Sequence, residues 1–232
     1  MKKIGIIVFI IALVVGLIFA NVFSFGKSSA RFFNFNVSFG EKGSGNIATE
    51  KREFTDFKAV EVGGGFQVEI TAQKEFSVEV EADDNLLPLI KIEVEDGILK
   101  IESEKKISTK NPIIVRISAP DIEGLEVSGV SKVNLANLKN ENLQVDASGA
   151  SKVKIEGITA NLTLNVSGAS KIDAGNIKAE NVSVDATGAS NVNVSVLNEL
   201  KVEASGASSV TYSGNPKNFE NKTSGASSVK QR

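Results

Sequence analysis

The sequence predicts an all-β chain, a single-stranded parallel β-helix of coils about 19 residues long, preceded by an N-terminal transmembrane helix. Three observations predict it. A six-residue phrase recurs as SGVSKV at 128–133, SGASKV at 148–153, SGASKI at 167–172, TGASNV at 187–192, and SGASSV at 205–210 and 224–229, its first letters 20, 19, 20, 18 and 19 residues apart. One short coil cannot bury its own inward face, whereas stacked coils can, so a steady period marks a stacked repeat. From Phe54 onward apolar residues alternate with polar ones, the pattern of strands with one wet face. Ahead of all this stands a long uncharged apolar run.

That run, Ile4 to Phe25, is 22 residues long and follows Lys2 and Lys3. As a helix it measures about 33 Å, against a hydrocarbon core of about 30 Å. A cleaved signal peptide is the alternative, but its apolar region is shorter and ends at a small-x-small site. Ala20 has Ile18 two places before it, and Ser28-Ser29-Ala30 lies far from the charged end. The expectation is an uncleaved anchor over residues 1–25, with Lys2 and Lys3 favouring a cytoplasmic N-terminus and the remainder outside the cytoplasm. Lys27 and Arg31 act against that orientation. Residues 26–52 read as a tether of Gly, Ser and charge carrying Phe32, Phe33, Phe35 and Phe39, and residues 53–232 as the head.

Within the head, Phe66, Val68 and Ile70 alternate with Gln67 and Glu69, and Phe76, Val78 and Val80 with Ser77 and Glu79; Ile90, Ile92 and Val94 alternate with Lys91 and Glu93, and Val115 and Ile117 flank Arg116. Turn chemistry separates these strands, at Gly63-Gly64-Gly65, Asp83-Asp84-Asn85, Asp96-Gly97, Asn111-Pro112 and Ala119-Pro120-Asp121. A short helical turn is expected only around Asn85 to Leu89.

Aligned on their first Ser or Thr, the repeats show columns. Leu143, Val145 and Ala147 precede one copy, Leu162, Leu164 and Val166 the next, then Val182, Val184 and Ala186, then Leu200, Val202 and Ala204. Val133, Val153, Ile172, Val192, Val210 and Val229 follow at the fifth place. Each copy therefore reads as strand, corner, strand and second corner. The first corners are Ser128-Gly129, Ser148-Gly149, Ser167-Gly168, Thr187-Gly188, Ser205-Gly206 and Ser224-Gly225. Gly admits the positive φ of a sharp bend, the Ala two places after the first Ser is expected to fill the inside, and Ser hydroxyls are expected to satisfy free backbone groups or one another along the stack.

Charge repeats less strictly. Two places before the corner stand Glu126, Asp146, Asn165, Asp185, Glu203 and Lys222; four places after it stand Lys132, Lys152, Lys171, Asn191, Ser209 and Ser228. Both columns fall on outward positions, as an acidic and a basic stripe flanking the corner. Solvated faces that discourage edge-to-edge association are one reading; a linear binding groove, with Lys132, Lys152, Lys171, Asp146, Asp185 and Glu203 as its stripe, is the other.

Composition narrows the chemistry. The chain has no His and no Cys, which removes Ser-His-Asp catalysis, thiol catalysis and His or Cys metal sites. A net charge of -2 with no basic cluster gives no case for nucleic acid. No calcium-loop pattern occurs, so neither a metal nor another cofactor is expected. Ser without a base is a poor nucleophile. Asp83, Asp84, Asp121 and Glu123 are the carboxylates a polysaccharide hydrolase or lyase would draw on, and each also has an ordinary turn role. Six N-x-S/T triplets, at Asn36, Asn161, Asn165, Asn181, Asn193 and Asn221, read as incidental products of polar strand positions.

REFTDFKAVEVGGGFQVEI at 52–70, ADDNLLPLIKIEVEDGILKIE at 82–102, IIVRISAPDIEGLEVSGVSKV at 113–133 and the SGAS ladder after them resemble the head GIN domain family, described as autotransporter adhesin heads, over roughly residues 53–229. The resemblance implies a right-handed parallel β-helix, secreted or membrane-tethered in prokaryotes, and supplies no catalytic residues. At 232 residues no outer-membrane barrel is expected, and the expectation is a monomeric head held at the membrane by its own N-terminal helix. It is expected to present one face to a glycan, an envelope polymer or a protein partner. A polysaccharide-active hydrolase or lyase and a passive envelope scaffold or sensor are the alternatives.

Overall fold

The computed structural model describes residues 40–232. The expected membrane helix and the first part of the tether lie outside the described residues. Among the described residues no helix is long and apolar enough to cross a membrane.

The described chain is all-β, a β-solenoid of about five turns. Its first part runs β1 (Glu41–Lys42), β2 (Ile47–Arg52), β3 (Ala59–Gly64), β4 (Gln67–Ala72), β5 (Ser77–Asp83), a 3-10 turn at Leu87–Leu89, β6 (Ile90–Glu95), β7 (Ile98–Ser103), β8 (Ile107–Ser108) and β9 (Ile114–Ala119). The ladder follows as β10 (Gly124–Gly129), β11 (Lys132–Ala147), β12 (Lys152–Val166), β13 (Lys171–Ala186), β14 (Asn191–Ala204), β15 (Ser209–Ser213), β16 (Asn218–Thr223) and β17 (Ser228–Gln231). Every ladder pairing is parallel and in register at the corners, and the columns read from the sequence stack as expected. Val68, Val133, Val153, Ile172, Val192, Val210 and Val229 form one inward column. Leu99, Val60, Leu125, Val145, Leu164, Val184 and Val202 form another. Both belong to one continuous core, closed at the last coil by Asn221 beside Val202 and by Phe219, 44% exposed, against Tyr212.

The ladder begins one coil earlier than the repeated phrase. Gly63 and Gly64 pair with Ser128 and Gly129, and Val130 N–H donates to Gly64 O at 2.7 Å. EVGGGFQVEI is therefore a seventh corner, separated from the next by the inserted strands β5 to β9 rather than by one coil. The insertion builds the end of the solenoid: β7 lies parallel beneath β3 and β9 beneath β4, and antiparallel strands then border them, β6 on β7 and β5 on β9. A wholly parallel body from residue 53 is thus corrected at this end. A parallel stack would leave an open edge there, and the antiparallel strands cover it.

Three further expectations change. The tether contributes β2, which pairs antiparallel with β5 from Ile47↔Asp83 to Arg52↔Val78. It lacks apolar alternation because it binds through backbone groups and through Arg52, whose guanidinium donates to Ile90 O at 2.6 Å and Leu87 O at 2.9 Å. The second corner is not a break, since β11, β12 and β13 run through it as bent strands with register shifts at Leu135/Leu138 and Lys154/Glu156. The corner Ala also faces outward. Ala150, Ala169, Ala189 and Ala207 are exposed and Val130 is 72% exposed, while Ser131, Ser151, Ser170, Ser190 and Ser208 are buried. In an alternating strand, the parity that buries the fifth place after the corner also buries the third.

Candidate functional site

The corner is a structural device. Gly149 and Gly168 have φ of 74° and 70°, and a Cβ on either would lie 2.6 or 2.5 Å from the carbonyl oxygen of the Gly one coil below. Bend and stacking distance both demand Gly. Backbone bonds join the corners coil to coil, with Ala150 N–H on Gly129 O and Ala169 N–H on Gly149 O, each at 2.8 Å. The buried Ser hydroxyls are spent locally. Ser151 Oγ donates to Ser170 Oγ at 3.2 Å, Ser190 Oγ to Thr187 O at 2.6 Å and Ser208 Oγ to Ser205 O at 2.8 Å. None of these serines has a base beside it in these bonds to activate its hydroxyl.

The two charged columns stand on either side of this corner, outward and in register, but they differ. Two members of the acidic column are answered within the protein. Asp146 accepts from Gln144 Nε2 at 2.8 Å and from Asn165 Nδ2 at 2.7 Å, and Glu203 lies 3.4 Å from Lys222 and 3.6 Å from Lys201. The Lys222 ammonium, seconded by Lys201, holds the Glu203 carboxyl below its ordinary value. Lys222 itself replaces the acid in the last coil, directly above Glu203.

The basic column has no such answer. Lys132, Lys152 and Lys171 pair in register at successive coils about 4.8 Å apart, all exposed, and none forms an ion pair among the described residues. They line a groove of about 530 Å³ together with Lys154, Asn134, Glu156 and Asp173. The two carboxylates there are already engaged. Glu156 lies 2.6 Å from Lys154 Nζ and accepts from Asn176 Nδ2 at 3.2 Å; Asp173 Oδ1 accepts from Asn193 Nδ2 at 2.9 Å and Gly175 N–H at 3.2 Å. Those bonds hold both acids below their ordinary pKa, through Lys154 for Glu156 and through Asn193 for Asp173. The column is bounded, with Gln67 below it and Asn191, Ser209 and Ser228 above.

A larger groove of about 850 Å³ runs along the first coils, with Phe57, Phe76 and Pro120 among its walls and Asp56, Asp96, Asp121 and Glu123 at its rim. Of the four carboxylates considered for hydrolysis, only Asp121 and Glu123 line it. Glu123 pairs with Lys58 at 2.7 Å, and Asp121 accepts from Ile122 N–H at 2.8 Å. Asp83 is buried elsewhere, bonded to Thr109 at 2.5 Å and Asn111 at 2.7 Å, which hold its pKa down. Asp84 accepts from Ser44 Oγ at 2.5 Å in the turn before β2. Among the described residues each carboxylate with a displaced pKa is displaced downward, opposite to what a general acid needs. No group of three metal-ligating side chains occurs among them either.

The sequence reading missed one more column. Asn161 donates to Asn142 Oδ1 at 3.0 Å, Asn181 to Asn161 Oδ1 at 3.0 Å and Asn198 to Asn181 Oδ1 at 3.2 Å. Asn161 and Asn181 also begin N-x-S/T triplets. The recurrence of Asn142, Asn161 and Asn181 six places before the corner, with Asn198 seven before, was the available signal.

The sequence model of the family described as "Putative auto-transporter adhesin, head GIN domain" matches residues 56–216. The chain belongs to this family. Solved structures share the GIN head's fold. A "putative adhesin" from Bacteroides fragilis NCTC 9343 has a TM-score of 0.69 at 21% identity, covering 83% of this chain and 100% of that one. A "putative adhesin" from Parabacteroides merdae ATCC 43184 gives 0.55 at 20%, covering 83% and 98%. A "putative lipid binding protein" from Parabacteroides distasonis ATCC 8503 gives 0.53 at 17%, covering 83% and 99%. No curated protein matches the chain. The family is described as an adhesin head, and these solved structures share its fold.

Proposed function

We propose that the chain is a membrane-anchored, extracytoplasmic adhesin-like protein, whose right-handed β-helix head binds a surface glycan, envelope polymer or protein partner without catalysis. The observation that carries this reading is the in-register Lys132, Lys152 and Lys171 column, three exposed lysines on successive coils that form no ion pair among the described residues. Family membership supports an adhesin-like role and a surface or extracytoplasmic place. The uncharged run from Ile4 to Phe25 behind Lys2 and Lys3 supports the anchor.

The test compares cells with and without the protein for adhesion, alongside binding of the full-length protein to a glycan array and to envelope fractions. Saturable binding, together with reduced adhesion of cells lacking the protein, is the expected result. No ligand on any surface, with adhesion unchanged, overturns the proposal.

A further inference from the structure

We infer that the lysine column is a site for a linear polyanionic polysaccharide carrying one carboxylate per sugar, laid along the solenoid axis. The inference rests on the adhesin-like reading above and deepens it. Parallel in-register pairing places three ammonium groups in a row at steps of about 4.8 Å, and the row crosses coils rather than following one strand. Exposed like charges directly opposite one another on adjacent strands repel, and here no carboxylate within ion-pair reach relieves them. A polymer with negative charges repeating on a comparable scale relieves the whole row at once. A compact anion meets one or two lysines only.

The groove is suited to such a chain. Lys154, paired with Glu156, lies beside the row, and Asn134 adds an amide able to meet sugar hydroxyls. Glu156 is paired with Lys154, and Asp173, held by Asn193 and the Gly175 amide, keeps its charge and attracts Lys171 at one end of the row, where it forms no ion pair with the column. The neutral residues that bound the column, Gln67 and Asn191, limit the site to the coils between them.

Titrating the full-length protein with polygalacturonate, its methyl ester and inorganic polyphosphate tests the assignment. Polygalacturonate is expected to bind, more weakly as ionic strength rises, and the uncharged ester is not. The triple variant Lys132→Ser, Lys152→Ser, Lys171→Ser should lose affinity by about tenfold or more. The matched variant Lys139→Ser, Lys178→Ser, Lys201→Ser, off the groove, should bind as the parent does, and Lys→Arg at the three column positions should retain binding. Equal binding of the methyl ester, polyphosphate binding as tight as polygalacturonate, or equal losses in the two triple variants would each overturn the inference. Absence of polygalacturonate binding beside intact array or cell-surface binding overturns this site assignment and leaves the adhesin-like reading standing; absence of both removes the two together.

Discussion

The coils whose corners begin at Ser128, Ser148 and Ser167 and those whose corners begin at Thr187, Ser205 and Ser224 share one backbone and differ in one outward position. Corner glycines have φ of 75°, 74° and 70° in the first set and 77°, 75° and 70° in the second. Lys152 and Lys171 donate their backbone N–H to the coil below at 2.9 Å, and so do Asn191 and Ser209. The inward residue that follows is Val or Ile throughout. Outward, the first set carries Lys and the second Asn or Ser. The backbone takes the same form whichever residue stands at that place, and lysine there adds repulsion within the column. Its use in three consecutive coils is what the proposed ligand would account for.

The largest effects should be the same in both sets. Val153→Asp and Val210→Asp each place an unpaired charge in the stacked core, and each should cost about 4 kcal/mol or more, read as lost cooperative unfolding in denaturant. A mild Val210→Asp would show that the later coils hold less of the core. Next come Gly168→Ala and Gly206→Ala, where a Cβ would sit 2.5 Å from a carbonyl oxygen on a left-handed backbone. About 2 kcal/mol or more is expected from either in chemical denaturation, with no difference between sets.

Outward changes should then separate the sets. Asn191→Lys with Ser209→Lys lengthens the column and should tighten polygalacturonate binding by about fivefold, measured by titration. The smallest effect is that of Lys152→Ser on stability, about 0.5 kcal/mol or less in denaturant unfolding. A loss matching Val153→Asp would mean the inward and outward assignments are reversed.

Much of this was legible in the sequence because a coil repeats its geometry each time it repeats its letters. The inward Val column, the Gly corners and both charged columns were readable from spacing alone. The corner Ala was misassigned because its small size suggested an interior place, although alternation counted back from Val153 puts Ser151 inside and Ala150 outside. The seventh corner was hidden because Gly63-Gly64-Gly65 lies 65 residues before Ser128-Gly129-Val130 and carries Phe66 where later coils have Ser. β2 was hidden because backbone pairing and one Arg hold it, and neither writes an apolar period. Unequal charge satisfaction was illegible for a different reason: Asp146 and Lys152 look alike as letters, and only neighbours such as Gln144 and Asn165 show which is already bonded.

The thermal midpoint of the full-length Lys132→Ser, Lys152→Ser, Lys171→Ser variant at low ionic strength tests most directly whether the lysine column faces away from the fold. Removing three mutually repelling charges should leave the midpoint at or above the parent's, with the difference shrinking as salt is added. A midpoint clearly below the parent's would contradict the account, because the lysines would then be holding the coils together.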